Sequence, residues 1–278
     1  MKLHLTFCKS VILPVVLISS LSCGKDKASP EAKQLIRSYV SKSTIRYDET
    51  FRFSYNDQGK LSRASQIIPL RDDEFQYYTY NGTSPGKIVS LSPQVDGPPG
   101  IHAEIQFLYD GENLSGIEVK SVSDAFSNVS YAFTYHGGKT PSAYTMTVSG
   151  ERITKPDIKT YYLSSDEKGN VTKHEGSISR NILGYDDMVN PFYKFPFLTV
   201  EYRTVRFGNT VGNTQVFVLN VERFFSPNNC VTAKQSYNES ISTTITTRYT
   251  YTGTGLPDTA TSIATGVNSG TATEIYTY

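Results

Sequence analysis

Apolar and polar residues alternate with period two over most of the chain. Phe51, Phe53 and Tyr55 fall on one face of an extended segment, while Thr50, Arg52 and Ser54 fall on the other. Ile105, Phe107 and Tyr109 repeat the alternation, as do Tyr131, Phe133 and Tyr135. Tyr144, Met146 and Val148 do the same on a return segment. Such alternation marks a sheet with one apolar and one wetter face. No window from 60 to 278 carries a helical stripe of three turns. The pattern predicts an all-β chain.

The alternating segments belong to a repeat: an aromatic-x-Tyr pair followed by a polar turn. Phe53-Ser-Tyr55 leads into Asn-Asp-Gln-Gly-Lys-Leu61, and Tyr78-Thr-Tyr80 into Asn-Gly-Thr-Ser-Pro-Gly-Lys-Ile88. Phe107-Leu-Tyr109, Phe133-Thr-Tyr135 and Tyr249-Thr-Tyr251 behave alike, Tyr161-Tyr162 does so less cleanly, and the sequence closes on Tyr276-Thr-Tyr278. The second aromatics fall at 55, 80, 109, 135 and 162, and later at 251 and 278, a spacing near 27 residues. Two strands and two connections fit that length. Gly-, Asn- and Asp-rich turns are those that hairpins need. The 89 residues from 162 to 251 leave room for about three more units. The expectation is a single domain over 35–278: one antiparallel meander of about 16 strands. A sheet that wide curls or closes, which also hides its edges. A barrel-like roll is expected, with a β-sandwich as the alternative.

Two stretches depart from the rhythm. Leu35, Ile36, Tyr39 and Val40 fit a short helix capped by Ser29-Pro30 or the first strand, and the strand is favoured. Residues 181–197 contain Pro191 and Pro196, which argue against a central strand. They are read as a long connection that lays Phe192, Phe195 and Phe197 on the sheet or across an open end.

The N-terminus changes the picture of where such a domain resides. Lys2 and Lys9 precede the apolar run Val11–Ile18, and Ser19-Ser20-Leu21-Ser22 then precedes Cys23. That is the layout of a secretory signal. The run is shorter than the roughly 20 apolar residues of a spanning helix and carries Pro14. The segment resembles the bacterial lipobox, with Ser20 where the family usually has leucine. The resemblance implies a signal peptide over 1–22 and lipid attachment at Cys23, with 23–34 a charged tether. Acyl chains contribute about 0.8 kcal/mol per buried CH₂ to membrane anchoring. Cys8 would leave with the signal and Cys23 would be modified, so Cys230 has no partner for a disulfide within the chain. It reads as a small buried hydrophobe, with a reactive thiol as the alternative.

Removing Lys2 and Lys9 leaves 25 basic against 26 acidic side chains. That balance gives no footprint for nucleic acid or for an anionic membrane surface. With 20 Tyr, 14 Phe and no Trp, the aromatic load favours strands.

Tyr55-Asn56-Asp57-Gln58-Gly59-Lys60-Leu61 is similar to the YD-type repeat of large bacterial shell-forming proteins, and Tyr80-Asn81 with Gly86-Lys87-Ile88 is similar with an insertion. The whole chain more closely resembles a Bacteroidetes outer-membrane lipoprotein family of unknown function. The shared features are Cys23, the degenerate hairpins, Asp186 or Asp187 before Asn190-Pro191-Phe192, Gly255-Leu256-Pro257, and the terminal Tyr276-Thr-Tyr278. The resemblance implies a rolled, porin-like antiparallel sheet and brings no catalytic residues.

Candidate chemistry is sparse. His102, His136 and His174 lack metal-ligand spacing and read as solvated. Asp72-Asp73-Glu74 and Asp186-Asp187 are acidic clusters without the spacing of a calcium loop. No Gly-x-Ser-x-Gly elbow is present. No catalytic residue, metal site or cofactor is expected. The tyrosines could stack on sugars, but cross-strand ladders explain them as well. The expected function is that of a non-enzymatic envelope lipoprotein, periplasmic or surface-facing, acting as a binding or scaffold module. Its partners would be the membrane, through the lipid, and a glycan or protein ligand. The alternatives are a carrier of an apolar ligand and a glycan hydrolase. The candidate surface is the wet sheet face and the loop around Asp186 to Phe197.

Overall fold

The computed structural model describes residues 35–278, apart from positions 45–47, 68–73, 82–83, 95–96, 123–126, 151–152, 154, 177–179, 208–209, 237–240 and 268. The expected signal, Cys23 and its tether lie outside the described residues. The strands run β1 (Ser38–Ser43), β2 (Glu49–Tyr55), β3 (Leu61–Ile67), β4 (Glu74–Asn81), β5 (Ser84–Gln94) and β6 (Gly97–Asp110). Next come β7 (Asn113–Ser121), β8 (Asn128–Thr134), β9 (Ala143–Ser149), β10 (Asp157–Ser165), β11 (Val171–Glu175) and β12 (Arg180–Val189). An insertion follows: β13 (Thr199–Phe207), β14 (Thr210–Val218) and the short helix α1 (Val221–Phe225). The chain ends with β15 (Asn228–Ser236), β16 (Ser242–Tyr251), β17 (Pro257–Gly266) and β18 (Gly270–Thr277).

Strands β1–β12 and β15–β18 form one closed antiparallel barrel in chain order, with β1 hydrogen-bonded to both β2 and β18. Closure leaves no open edge. The insertion hairpin β13–β14 pairs only with itself and lies outside this order. The expected rolled meander is therefore the fold, and residues 35–40 lead into a strand, as favoured.

The repeat has a structural meaning in the turns. After β2, Asn56 N–H donates to Lys60 O (2.9 Å) and Gly59 N–H donates to Asn56 O (2.8 Å). The same pair of bonds closes Asp166–Asn170 and Thr252–Leu256. The glycine of each turn, Gly59, Gly169 and Gly255, sits at φ 70°, 88° and 79°, where a Cβ is disfavoured. A register shift precedes the turn at Ser54/Tyr55, Thr79/Tyr80, Leu108/Tyr109, Ser164/Ser165 and Thr250/Tyr251. These bulges increase strand twist, which a barrel requires. The second tyrosine then reaches back one hairpin. Tyr55 donates to Ile36 O at 2.6 Å, Tyr135 to Leu114 O at 2.9 Å and Tyr185 to Val171 O at 2.7 Å. Each such bond contributes about 1 kcal/mol and fixes the stagger between hairpins.

Three expectations need correction. Residues 181–189 are not a connection: β12 pairs with β11 and with β15 in the middle of the barrel. The prolines that argued against a strand lie just beyond its end, where they do no harm. The interval from 162 to 251 holds one further barrel hairpin, β12 with β15, and not three; the insertion takes up the remainder. Leu183-Gly184-Tyr185 is the hidden repeat unit, with its register shift at Gly184/Tyr185. In the fifth unit, the turn and bulge place Leu163 and Ser165 where the aromatic pair stands elsewhere. Tyr161 lies inside, stacked on Tyr144 at 4.8 Å, while Tyr162 is exposed outside.

The apolar face points inward. Phe51, Phe53, Ile105, Phe107, Ile117, Val119, Val129, Tyr131, Phe133, Tyr144, Met146 and Val148 are buried in one core. Arg52, Ser54, Thr79, Gln106, Lys120, Ser130, Thr134, Arg248 and Thr250 alternate with inward residues and are exposed. The insertion supplies the rest of the core. Phe197 packs edge-on against Phe51 (5.0 Å) and Phe195 against Phe53 (5.0 Å), while Phe225 meets Phe133 at 5.2 Å. The expected seating of Phe192, Phe195 and Phe197 on the sheet is what the structure shows, and they seat on its inner face.

Candidate functional site

The insertion is bolted into the barrel by buried polar groups. Asn190 donates to Arg223 O (2.7 Å) and Ser226 O (2.8 Å) and accepts from Phe192 N–H (2.9 Å). One side chain thus ties the start of the insertion to its end, and every hydrogen-bonding capacity it uses is backbone-directed. Gln76 of β4 donates to Leu198 O at 2.6 Å. Ser226, fully buried, accepts from Val171 N–H and donates to the Tyr185 hydroxyl, each at 3.0 Å.

Helix α1 carries two adjacent charges that reach different strands of the wall. Asn220 caps it by accepting from Arg223 N–H at 2.9 Å. Glu222 pairs with His174 Nδ1 of β11 and accepts from Asn181 of β12 at 3.2 Å. The other ring nitrogen of His174 lies 2.9 Å from the Tyr144 hydroxyl. Arg223 donates to Glu274 (2.9 Å) and to the Tyr276 hydroxyl (2.9 Å) on β18. Its guanidinium lies 4.1 Å from the Phe192 ring centre and 5.1 Å from that of Tyr39. Tyr39 and Tyr276 each donate to Glu274 at 2.5 Å, one to each carboxylate oxygen.

These contacts set the protonation states. Burial alone would raise Glu222, but the His174 contact outweighs it and holds the carboxyl below its ordinary range. Burial likewise opposes ionisation of Glu274, and the Arg223 charge with the two tyrosine hydrogen bonds overcomes it. Both carboxylates are therefore ionised and engaged, which suits neither for general-acid work at neutral pH. Burial, reinforced by Glu222, pushes the Cys230 thiol up to about 11. It is a thiol and not a nucleophilic thiolate, in keeping with the bland reading.

Beside α1 lies a half-open cavity of about 240 Å³ with a mixed polar and apolar lining, bordered by β12, β15, β16, β17 and β18. Asn181, Tyr185, Glu222, Arg223, Gln235, Thr247, Tyr249 and Ser262 line it together with Leu183, Ala233 and Ile245. The cavity is the candidate site. No sequence motif announced it, because its residues come from segments as far apart as Asn181 and Glu274. The signal that could have found it is compositional: inward positions of β15–β17 read Ala233, Gln235, Ile245, Thr247 and Ser262 where β6–β9 read aromatic and branched.

The residues singled out in the sequence fare unevenly. Asp186 accepts from Met188 N–H (2.9 Å) and from the Tyr251 hydroxyl, so it shapes the end of β12. Asp187 is exposed and pairs with Lys168. In the loop that follows, Asn190, Phe192 and Pro196 are buried, and Tyr193 and Lys194 are exposed. The loop is mostly turned into the barrel and is not the open binding surface expected. His136 sits in an exposed turn against Ser142, as expected; His174 is largely buried and is not solvated. His102 falls on β6. Asp72 and Asp73 lie outside the described residues, while Glu74 begins β4. Among the described residues, no group of three or more His, Cys, Asp or Glu could hold a metal.

Fold and interior together define a closed antiparallel barrel whose core is completed by its own insertion. A porin-like protein from Bacteroides uniformis has a similar fold, at a TM-score of 0.51 and 11% identity, over 87% of this chain and 97% of that one. A porin-like protein from Bacteroides vulgatus aligns at a TM-score of 0.41 and 10% identity, over 88% and 98%. No family model and no curated protein matches the chain.

Proposed function

We propose that this chain is a lipid-tethered envelope protein whose barrel stands in water and binds a ligand without transforming it. One observation carries the reading: the core is largely apolar, and most described outward positions are polar, with exposed apolar residues such as Ile158, Ile182, Ile263 and Ile275 set among threonines and charges. A barrel that crosses a bilayer shows lipid an outward apolar band about 25 Å tall, and an Arg or Lys there costs about 2–4 kcal/mol at the midplane. Here the outward positions include Arg52, Lys120, Thr134 and Arg248. The interior is filled by Phe192, Phe195, Phe197, Phe224 and Phe225, which supports neither a conducting pore nor a carrier with an empty apolar chamber. Membrane attachment is then left to the lipid expected at Cys23, with the outer membrane as the site of residence. The engaged state of Glu222 and Glu274 favours binding over hydrolysis.

Export of residues 24–278 behind a cleavable signal lacking the lipidated cysteine tests this. Soluble periplasmic protein is the expected result, against membrane-bound protein for the parent chain. Retention of the cysteine-free protein in carbonate-washed membranes, or ion conductance of the purified protein in planar bilayers, would overturn it.

A further inference from the structure

The cavity beside α1 combines two properties. Its charged groups are already matched: Arg223 with Glu274, and Glu222 with His174 and Asn181. Asn228 and Asn229, also on its wall, are spent on Met188 O and Val189 O at 3.1 Å each. What remains is neutral hydrogen-bonding capacity. Gln235 lines the cavity with its amide uncommitted, and the Thr247 and Ser262 hydroxyls beside it share a single hydrogen bond of 2.9 Å, which leaves further capacity on both oxygens. The amide nitrogen of Asn220 is likewise uncommitted, because only its oxygen serves as the helix cap, and Asn220 is exposed where the cavity meets solvent.

Leu183, Ile245 and the ring of Tyr249 supply an apolar wall to the same space. A volume of about 240 Å³ is below the usual range for drug-sized ligands, roughly 300–1,000 Å³. Charge-matched walls disfavour an ion. Neighbouring amide and hydroxyl groups suit ligand groups that both donate and accept, which is the property of hydroxyls. The apolar wall suits a ring with a C–H face. We infer that the cavity binds one neutral polyhydroxylated ring: a monosaccharide, or the terminal sugar of a glycan. The inference rests on the binding reading above and names its ligand class.

The experiment is a titration of the full-length protein, purified in detergent, with glucose, galactose, mannose and N-acetylglucosamine, followed by ligand-observed NMR. Glutamate and lysine serve as charged probes. At least one sugar is expected to bind saturably. Ala233→Phe, which fills the cavity, should abolish binding, and Gln235→Leu should weaken it tenfold or more. Failure of all four sugars to bind overturns the inference, as does preferential binding of a charged probe. Unchanged sugar binding in Gln235→Leu, a near-isosteric change facing open space, also overturns it. Turnover of nitrophenyl glycosides that Ala233→Phe abolishes would leave the sugar site standing and sink the non-enzymatic reading instead.

Discussion

The two sides of the barrel obey one backbone rule and have opposite interiors. On the β2–β9 side, inward residues are sealed and mostly large, with Ala64, Gln66, Gln76 and Ala103 among them: Ile105 and Ile117 are 0% exposed and Phe51 is 2%. Rings of the insertion close over them. On the β12–β18 side, inward Ala233, Gln235, Ile245, Thr247 and Tyr249 are only partly buried and border the cavity. Turns, bulges and hairpin order are shared, so strand geometry does not separate the two sides. The inward side chains and the seating of the insertion do. A 16-stranded circumference is wide enough that its own side chains cannot fill it evenly. The insertion lays Phe195, Phe197 and Phe225 on one side, sets Phe192 also against Tyr39 and Tyr276, and turns Glu222 and Arg223 toward the other.

The sharpest way to break this contrast is to remove the charge that the insertion sets against β18. Arg223→Met leaves Glu274, whose side chain is 20% exposed, without its cation, and the loss should stay somewhat below the roughly 3–5 kcal/mol of a fully buried pair. Combining it with Glu274→Gln should recover part of the loss, because the stranded charge goes too. Urea unfolding midpoints check both, and an Arg223→Met protein as stable as the parent would show that the bridge is idle. Next in size is the contrast itself. Ile117→Ala in the sealed side should cost about 2–5 kcal/mol. Ile245→Ala at the cavity wall should cost about 1 kcal/mol or less, since its side chain is already partly in water. Equal costs would mean that the two interiors are packed alike.

Much of the sealed side was legible in the sequence, because period-two aromatics such as Phe51, Phe53, Tyr131 and Phe133 both announce the strand and fill the core. The hairpin repeat was legible for the same reason, as its turns need Gly59, Gly169 and Gly255. The β12–β15 unit was not. Leu183-Gly184-Tyr185 lacks an aromatic at its first position, and the turn that should follow is replaced by the insertion. Pro191 and Pro196 then made a strand and the loop after it look like one irregular segment. The cavity was illegible in principle. Glu222, His174, Arg223 and Glu274 meet only because β11, α1 and β18 share an interior. His174 read as solvated because its own hairpin says nothing of the helix that reaches it.

Acid offers a gentler probe of the same asymmetry. Glu222 and Glu274 have folded pKa values lowered by their partners. Groups of that kind stabilise the fold at pH above the unfolded value, about 4.3 for glutamate, and the contribution disappears as pH falls through the folded value. Stability should therefore hold steady from pH 7 to about 5 and decline below that. The inward groups named on β2–β9 include no carboxylate, so the decline should begin around α1 and β18. Hydrogen exchange at stepped pH reads the order. Loss of protection in β6–β8 before β18 would contradict the assignment of the acid-sensitive side.

The smallest effect expected is one that should not differ between the sides. Gly111 turns β6 into β7 on the sealed side at φ 60°, and nothing lies within 4 Å of where its Cβ would stand. Gly255 turns β16 into β17 on the cavity side at φ 79°, and its Cβ would meet only Met188 Cε at 3.1 Å, the end of a flexible side chain. In both places an alanine would suffer from the left-handed backbone and from little else. The cost is about 1–2 kcal/mol for each, and asparagine, which tolerates that conformation better, should cost less. If Gly111→Ala and Gly255→Ala lower the unfolding midpoint equally, the turns are one device used on both sides, and the difference between the sides resides in their inward residues. A Gly255→Ala loss well beyond that of Gly111→Ala would instead place part of the asymmetry in the turns, with Met188 and the end of β12 as the structure they hold in place.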